Sequence, residues 1–325
     1  MGDGTGTGMD TGMDTGMGDG EADAAYLGVD IGGTKVALRV ETGDRCVHER
    51  AFSWPPRHSA ARDLGRLAEQ VAEVRADLGV SFRAVGVAMP ATVGPAERVT
   101  AWPSRPEWTG TDLGAALRPL FPGAAVAWAD DGDLGALAES RASGCADLLY
   151  LGVGTGVGGG LVLAGEPCPG LGRGSFEVGH MVVELGGPRC DCGRRGCLQA
   201  VASGPATLRR ASRQRGSTAA FDDLVKAWGD GRPWAVTALR RTCRALAAAA
   251  VGVQELLQPR LVRVGGGFAD GIPGFAGLVA DHVTELARPG RPPLPVEEAA
   301  LGGLSSLHGA VSLARLLVCR EFPLP

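Results

Sequence analysis

Short, nearly continuous apolar runs alternate along this chain with stretches of helical period. Residues 26–30 read as a strand, residues 31–34 as a turn and residues 35–40 as the returning strand. Leu64, Leu67, Val71, Val74 and Leu78 recur at three- and four-residue spacing and predict one face of a helix. Residues 85–90 form a buried strand ended by proline, residues 124–129 another short strand, and residues 134–141 open a helix. The opening pattern then returns: a strand over 148–153, a turn over 154–156 and a strand over 158–163. A helix over 245–257 leads into a strand over 261–264 and the glycines 265–267, and a last helix covers roughly 304–318. Two copies of strand, Gly-Thr turn and strand predict a duplicated α/β unit with a cleft between its halves. Residues 1–23 repeat Gly, Thr, Met and Asp and hold almost nothing that could be buried, so a disordered tail is expected there.

Composition narrows the function classes. A chain of 325 residues suffices for two cored domains. With 45% apolar residues and a net charge of −4, it has no global bias toward nucleic acid. Lysine occurs only at Lys35 and Lys226, so the basic charge is almost wholly arginine. No apolar run reaches membrane-spanning length and no charged start precedes an apolar stretch, so the expectation is a cytoplasmic protein with no membrane partner. Cys46, Cys145, Cys168, Cys243 and Cys319 are scattered and do not make a disulfide framework.

The remaining three cysteines stand apart. His180, Cys190, Cys192 and Cys197 offer one imidazole and three thiolates within a short stretch, a donor set that closes a tetrahedral zinc site. Four protein ligands fill such a site, so the zinc is expected to be structural. Gly193 and Gly196 supply the turn that returns Cys197, and Glu177 lies beside His180. The zinc would therefore fix a loop that presents polar side chains to something else.

Glycine turns directly after apolar strands bring backbone N–H groups close to phosphate oxygens. Three such turns occur here. Gly154, Gly156 and Gly159 also satisfy the dinucleotide-binding spacing, but a strand rather than an amphipathic helix follows them, and no P-loop motif is present.

Taken jointly, these motifs resemble the ROK family (repressors, open reading frames and kinases), in particular its glucokinase-like sugar kinases. The likeness is carried by Asp30-Ile31-Gly32-Gly33-Thr34-Lys35, Gly154-Thr155-Gly156-Val157-Gly158-Gly159-Gly160, Glu177-Val178-Gly179-His180 and Cys190-Asp191-Cys192-Gly193-Arg194-Arg195-Gly196-Cys197-Leu198, with Gly265-Gly266-Gly267 and Leu301-Gly302-Gly303 following in order. It covers residue 25 to the end. The resemblance implies a duplicated actin-like (ribonuclease-H-like) ATPase fold, two domains around a cleft with a zinc-binding loop, and ATP with Mg²⁺ beside a sugar. The implied division is an N-terminal α/β domain over 24–129, joined by the C-terminal helix over 304–318, and a C-terminal α/β domain over 130–303 with the zinc loop at 177–199. It also implies a homo-oligomer, dimer or tetramer.

By the same likeness Asp131 aligns with the catalytic base, in a segment where the family has an Asn-Asp pair. Read without the family, Asp130, Asp131 and Asp133 also suit the start of a helix, where acids are favoured. Asp30 would sit near Mg²⁺. Gly32, Gly33, Thr34, Lys35, Gly154, Thr155, Gly156, Gly265 and Gly266 would form the nucleotide site. Ser104, Asp130, Glu177, His180 and Gln199 would line the acceptor site.

Four positions depart from the glucokinase pattern. Asp130 stands for Asn, Gln199 for Glu, Ser104 for another Asn, and Ala91 for the Gly after the proline of a Val-Pro-Gly turn. Each acceptor-site change exchanges hydrogen-bond donors and acceptors. With the phosphate motifs intact, the expectation is an ATP-dependent kinase acting on a primary hydroxyl of a cyclitol or a non-glucose hexose. The alternatives are a glucokinase and a non-catalytic sugar-binding sensor. A repressor of this family carries an N-terminal winged helix, for which the residues before the first strand are too few and too polar.

Overall fold

The same strand connectivity is used twice, in two five-stranded mixed sheets. The computed structural model describes residues 24–55, 59–170 and 174–319, so the expectation for the 1–23 tail lies outside the described residues. In the first half β1 (Ala25–Ile31), β2 (Lys35–Thr42), β3 (Arg45–Ser53) and β4 (Phe82–Ala88) are followed by a small pair, β5 (Thr92–Val93) and β6 (Val99–Ala101), and then by β7 (Ala125–Ala129). The first sheet has the order β3-β2-β1-β4-β7. The second half contains β8 (Leu148–Val153), β9 (Val157–Leu163), β10 (Glu166–Cys168), β11 (Leu261–Gly265) and β12 (Val296–Glu298), in the order β10-β9-β8-β11-β12. In each sheet the first three strands pair antiparallel as a meander, and the last two join parallel. The repeat of strand, glycine turn and strand predicted from sequence is thus β1–β2 and β8–β9.

The helices are α1 (Ala60–Leu78), α2 (Leu113–Leu117), α3 (Asp131–Ser143), α4 (Leu198–Ala202), α5 (Gly204–Arg215), α6 (Phe221–Gly229), α7 (Pro233–Leu257), α8 (Gly267–Asp270), α9 (Phe275–Glu285) and α10 (Ser305–Cys319). In α1, Ser59 caps the start by accepting from the Arg62 N–H, and Gly79 in the left-handed region ends it. Its predicted face holds: Leu67, Val71 and Val74 are buried, with Leu64 and Leu78 packed at the margin. Two expected helix starts move. The last long helix before β11 begins at Pro233 rather than 245, where proline at the first turn needs no N–H partner. Helix α3 begins at Asp131 rather than 134, because Asp130 caps it.

Alternation along β1 and β4 fixes which side carries the site. Leu27, Val29 and Ile31 of β1 join Val85 and Val87 of β4 in one core with α1. The opposite face carries Tyr26, Gly28, Ala84, Gly86 and Ala88, and α10 lies on it. Small residues are required there. A Cβ on Gly86 would overlap the Ala310 carbonyl, and one on Gly28 would reach within 2.6 Å of Val311 Cγ2. Helix α3 packs in turn between α10 and the second sheet, with Leu134 and Leu137 against Ala310 and Leu313, and Ala136 against Tyr150 and Val162. Glu139 of α3, wholly buried, accepts from the N–H groups of Ala300 (2.8 Å) and Leu301 (3.0 Å) and from Ser305 Oγ (2.8 Å). It thereby fixes the start of α10, and three donors satisfy its buried carboxyl oxygens.

Candidate active site

Continuing the β1 alternation, Asp30 follows Tyr26 and Gly28 on the α10–α3 side and meets the N-terminus of α3. Its pKa is raised to about 7, by burial first and by the nearby Asp131, with Lys35 opposing. Asp130 is the N-cap of α3, its Oδ1 accepting from the Gly132 N–H at 3.0 Å and the Asp133 N–H at 3.4 Å. The acidic run therefore does begin a helix, and its carboxyls lie beside Asp30. Burial, then Asp131, Asp133 and Glu177, hold the Asp130 carboxyl well above the usual range. Asp131 is lifted to about 6, by burial first and by Glu177 as well, while the Gly132 N–H and its own N–H pull it down.

Asp133 is a site residue that sequence reading did not assign. It is 5% exposed, its Oδ1 accepts from the Phe176 N–H at 3.2 Å, and burial lifts it to about 7. That bond ties α3 to the loop bearing Glu177. The only sequence signal is an acid two residues past Asp131; its partner lies 43 residues away.

The exposed Glu177 accepts from Ser175 Oγ at 2.7 Å, and its Oε2 lies 4.0 Å from His180 Nε2. The other ring nitrogen of His180, Nδ1, lies 3.7 Å from Cys190 Sγ. Cys192 Sγ and Cys197 Sγ are 3.6 Å apart, and all four donor atoms of His180, Cys190, Cys192 and Cys197 lie within 4.8 Å of one another. Tetrahedral Zn–S bonds of about 2.3 Å imply donor separations of about 3.8 Å, close to the His180–Cys190 and Cys192–Cys197 distances. Cys190, Cys192 and Cys197 form no disulfide, and neither do Cys46, Cys145, Cys168 and Cys243. Gln199 donates from Nε2 to Cys190 Sγ at 3.4 Å, and a Cβ on Gly156 would sit 3.2 Å from its Oε1. Its amide thus lies between the cysteine cluster and the 154–156 turn.

The glycine turns sit at the same place in each half. The Gly154 N–H donates to the Gly156 carbonyl, and the Gly154 carbonyl accepts from the Gly204 N–H at the start of α5. Gly265 pairs with Gly152, and Gly266, at φ 94°, lies against the Val153 backbone, so the turn after β11 abuts the turn after β8. Gly32 and Gly33 follow β1, and the exposed Ser104 stands over Gly33. Thr34, Lys35 and Thr155 are exposed. The structure therefore gathers Asp30, Asp130, Asp131, Asp133, Glu177, His180, Gln199 and Gly156 as one chain of neighbours. Ser104 joins the Gly32–Thr34 turn.

Comparison with known proteins agrees with this geometry. Residues 26–316 match the model of the ROK family. A kanosamine kinase from Amycolatopsis mediterranei (strain S699) is 64% identical over 298 residues, covering 92% of this chain and 98% of that protein. The crystal structure of a ROK hexokinase from Thermus thermophilus superposes with a TM-score of 0.80 at 30% identity, covering 91% of this chain and 99% of that one. A ROK family glucokinase from Streptomyces griseus, in complex with glucose and AMPPNP, superposes at 0.76 with 27% identity, covering 90% and 100%. With the family model spanning nearly all described residues and a relative at this identity, the chain belongs to the ROK family.

Proposed function

We propose that this ROK sugar kinase transfers the γ-phosphoryl group of ATP to the primary hydroxyl of an amino sugar, kanosamine (3-amino-3-deoxyglucose). The observation that carries the reading is the 64% identity, across 92% of the chain, to a kanosamine kinase. The chemistry of the acceptor side supports it. Asp130, Asp131, Asp133 and Glu177 crowd four carboxyls together: Asp131, Asp133 and Glu177 raise the pKa of Asp130, and Glu177 raises those of Asp131 and Asp133. An acceptor bearing an ammonium group relieves that repulsion, whereas a neutral sugar does not.

In this reading Asp131 accepts the proton of the attacking hydroxyl. Asp30 stands where Mg²⁺ accompanies the nucleotide. The turns at Gly32-Gly33-Thr34, with Lys35, and at Gly154-Thr155-Gly156, with Gly265 and Gly266, hold the phosphates. Positioning and charge stabilisation then supply most of the rate enhancement. The matched strand orders support a duplicated actin-like (ribonuclease-H-like) ATPase fold, with nucleotide and acceptor in the cleft between domains at 24–129 and 130–303. Ser104, Asp130, Glu177, His180 and Gln199 line the acceptor side.

The test is an ADP-release assay over kanosamine, glucose, N-acetylated amino sugars and cyclitols, with NMR of the product to locate the phosphate. Kanosamine should reach a kcat/KM of about 10⁴ M⁻¹s⁻¹ or more, and glucose at least about tenfold less. Glucose as the best acceptor would overturn the reading. A cyclitol as the best acceptor would replace the amino sugar with a neutral polyol.

His180, Cys190, Cys192 and Cys197 would hold one Zn²⁺, whose role is to fix the loop that carries Glu177 and Gln199. Purified protein should contain about one equivalent of zinc. Cys192→Ser should lower the Tm and raise KM for the acceptor more than KM for ATP, because His180 and Gln199 share the cluster. Full stability and acceptor affinity in a verified metal-free preparation would contradict this role.

A further inference from the structure

The turn between β1 and β2 is held from behind. The Gly32 carbonyl accepts from Trp54 Nε1 at 2.8 Å, the Gly33 carbonyl from Arg105 Nε at 2.9 Å, and the Thr34 carbonyl from the Trp54 backbone N–H at 3.2 Å. Three consecutive carbonyls are thus tied to two residues. In a planar trans peptide the C=O and N–H point in opposite directions. Each tied carbonyl therefore turns the following N–H, on Gly33, Thr34 and Lys35, away from Trp54 and Arg105. Successive N–H groups presented in this way make an anion-binding concavity.

The holding pair is itself fixed. The Arg105 guanidinium lies over the Trp54 ring at 4.7 Å. Its Nη1 meets Asp63 Oδ2 at 2.6 Å, with the two side chains 1% and 0% exposed. Trp108 Nε1 donates to the same oxygen at 2.9 Å. Asp63 comes from the first turn of α1, so a helix outside the site anchors the arginine that grips the turn. Swinging Arg105 away would leave a buried carboxylate without its cation, a costly state.

We propose that Trp54 and Arg105 are positioning residues for phosphoryl transfer: they hold the 32–34 turn so that its N–H groups face the phosphates of the nucleotide. The proposal rests on the reading of that turn as a phosphate site. Neither residue touches substrate; both act through the backbone of the turn.

Trp54→Phe keeps an aromatic ring beneath Arg105 and removes only the donor to Gly32. It should raise KM for ATP about three- to tenfold, the effect of one lost hydrogen bond, with little change in KM for the acceptor. Arg105→Lys keeps a cation beside Asp63, removes the donor to Gly33, and should raise KM for ATP likewise. Trp108→Phe is the control: it removes an N–H from the same network without touching the turn, so it should lower the Tm and leave KM for ATP unchanged. If Trp54→Phe and Trp108→Phe raise KM for ATP equally, or neither does, the positioning role is wrong. Hydrogen exchange separates this from a failure of the underlying reading. In the wild type, a peptide covering residues 31–36 should gain protection when a non-hydrolysable ATP analogue binds. No gain would refute the turn as a phosphate site; an undiminished gain in Trp54→Phe, with unchanged KM, would refute only the positioning role.

Discussion

Asp131→Asn should lower kcat by about 10²–10⁴, the range in which a positioned general base contributes, while the Kd for ATP stays near its wild-type value. The carboxylate meets the acceptor hydroxyl, whereas the nucleotide is held by backbone turns. In the wild type, kcat/KM for the acceptor should fall as the pH drops through about 6, the value to which burial and Glu177 lift Asp131 in the free enzyme, because the protonated acid cannot accept the hydroxyl proton. The stability effect has the opposite sign. An acid whose folded pKa is raised contributes most below its unfolded pKa, and that contribution is lost as the pH rises through the folded value. At neutral pH the ionised Asp131 therefore costs stability, and Asn should leave the Tm unchanged or higher. Such a trade of stability for activity is expected of a working carboxylate. A variant that turns over at near wild-type rate would transfer the base role to the neighbouring Asp130.

Asp130→Asn should change which acceptor is preferred. Asn caps a helix about as well as Asp, so the bonds to the Gly132 and Asp133 N–H groups persist and only the charge is removed. A hydrogen bond to a charged group is worth roughly 1.5–3 kcal/mol, so kcat/KM for an ammonium-bearing acceptor should fall about ten- to hundredfold. Glucose should be unaffected or improved. Steady-state kinetics on both acceptors, with the Tm as the control for folding, reads the effect. An equal loss on both acceptors would mean that Asp130 does not discriminate the ammonium group. Reversal of preference with kcat preserved would separate its role from that of Asp131.

What was legible in the sequence was the part written locally. The strand–turn–strand units at β1–β2 and β8–β9 announce themselves because apolar runs abut glycine turns, and the cysteine cluster because its ligands are close in sequence. The acidic run at 130–133 was visible, but not that Asp130 would cap the helix while Asp133 reached the Phe176 N–H. Strand β3 carries alternating polar and half-buried residues at a sheet edge, and β12 is three residues long, so neither has an apolar signature. The start of α7 has no clear signal because Pro233, Arg240 and Arg241 interrupt its apolar period. Asp63 and Arg105 look like surface residues in sequence, and nothing local pairs them with Trp108. They are buried only because the fold brings together residues more than forty positions apart.

Helix α10 has a consequence for how the polypeptide is made. It is assembled from residues 305–319, yet the surface it covers, built on Gly28, Ala84 and Gly86, belongs to strands synthesised long before it. That half must wait, one apolar face open to water, until α10 has been made. The second half, whose sheet and helices lie between residues 131 and 298, can gather its own core earlier. Contacts that span nearly the whole chain are slow to form and leave sticky surfaces exposed in the interval. The order of synthesis is therefore the reverse of the order of completion.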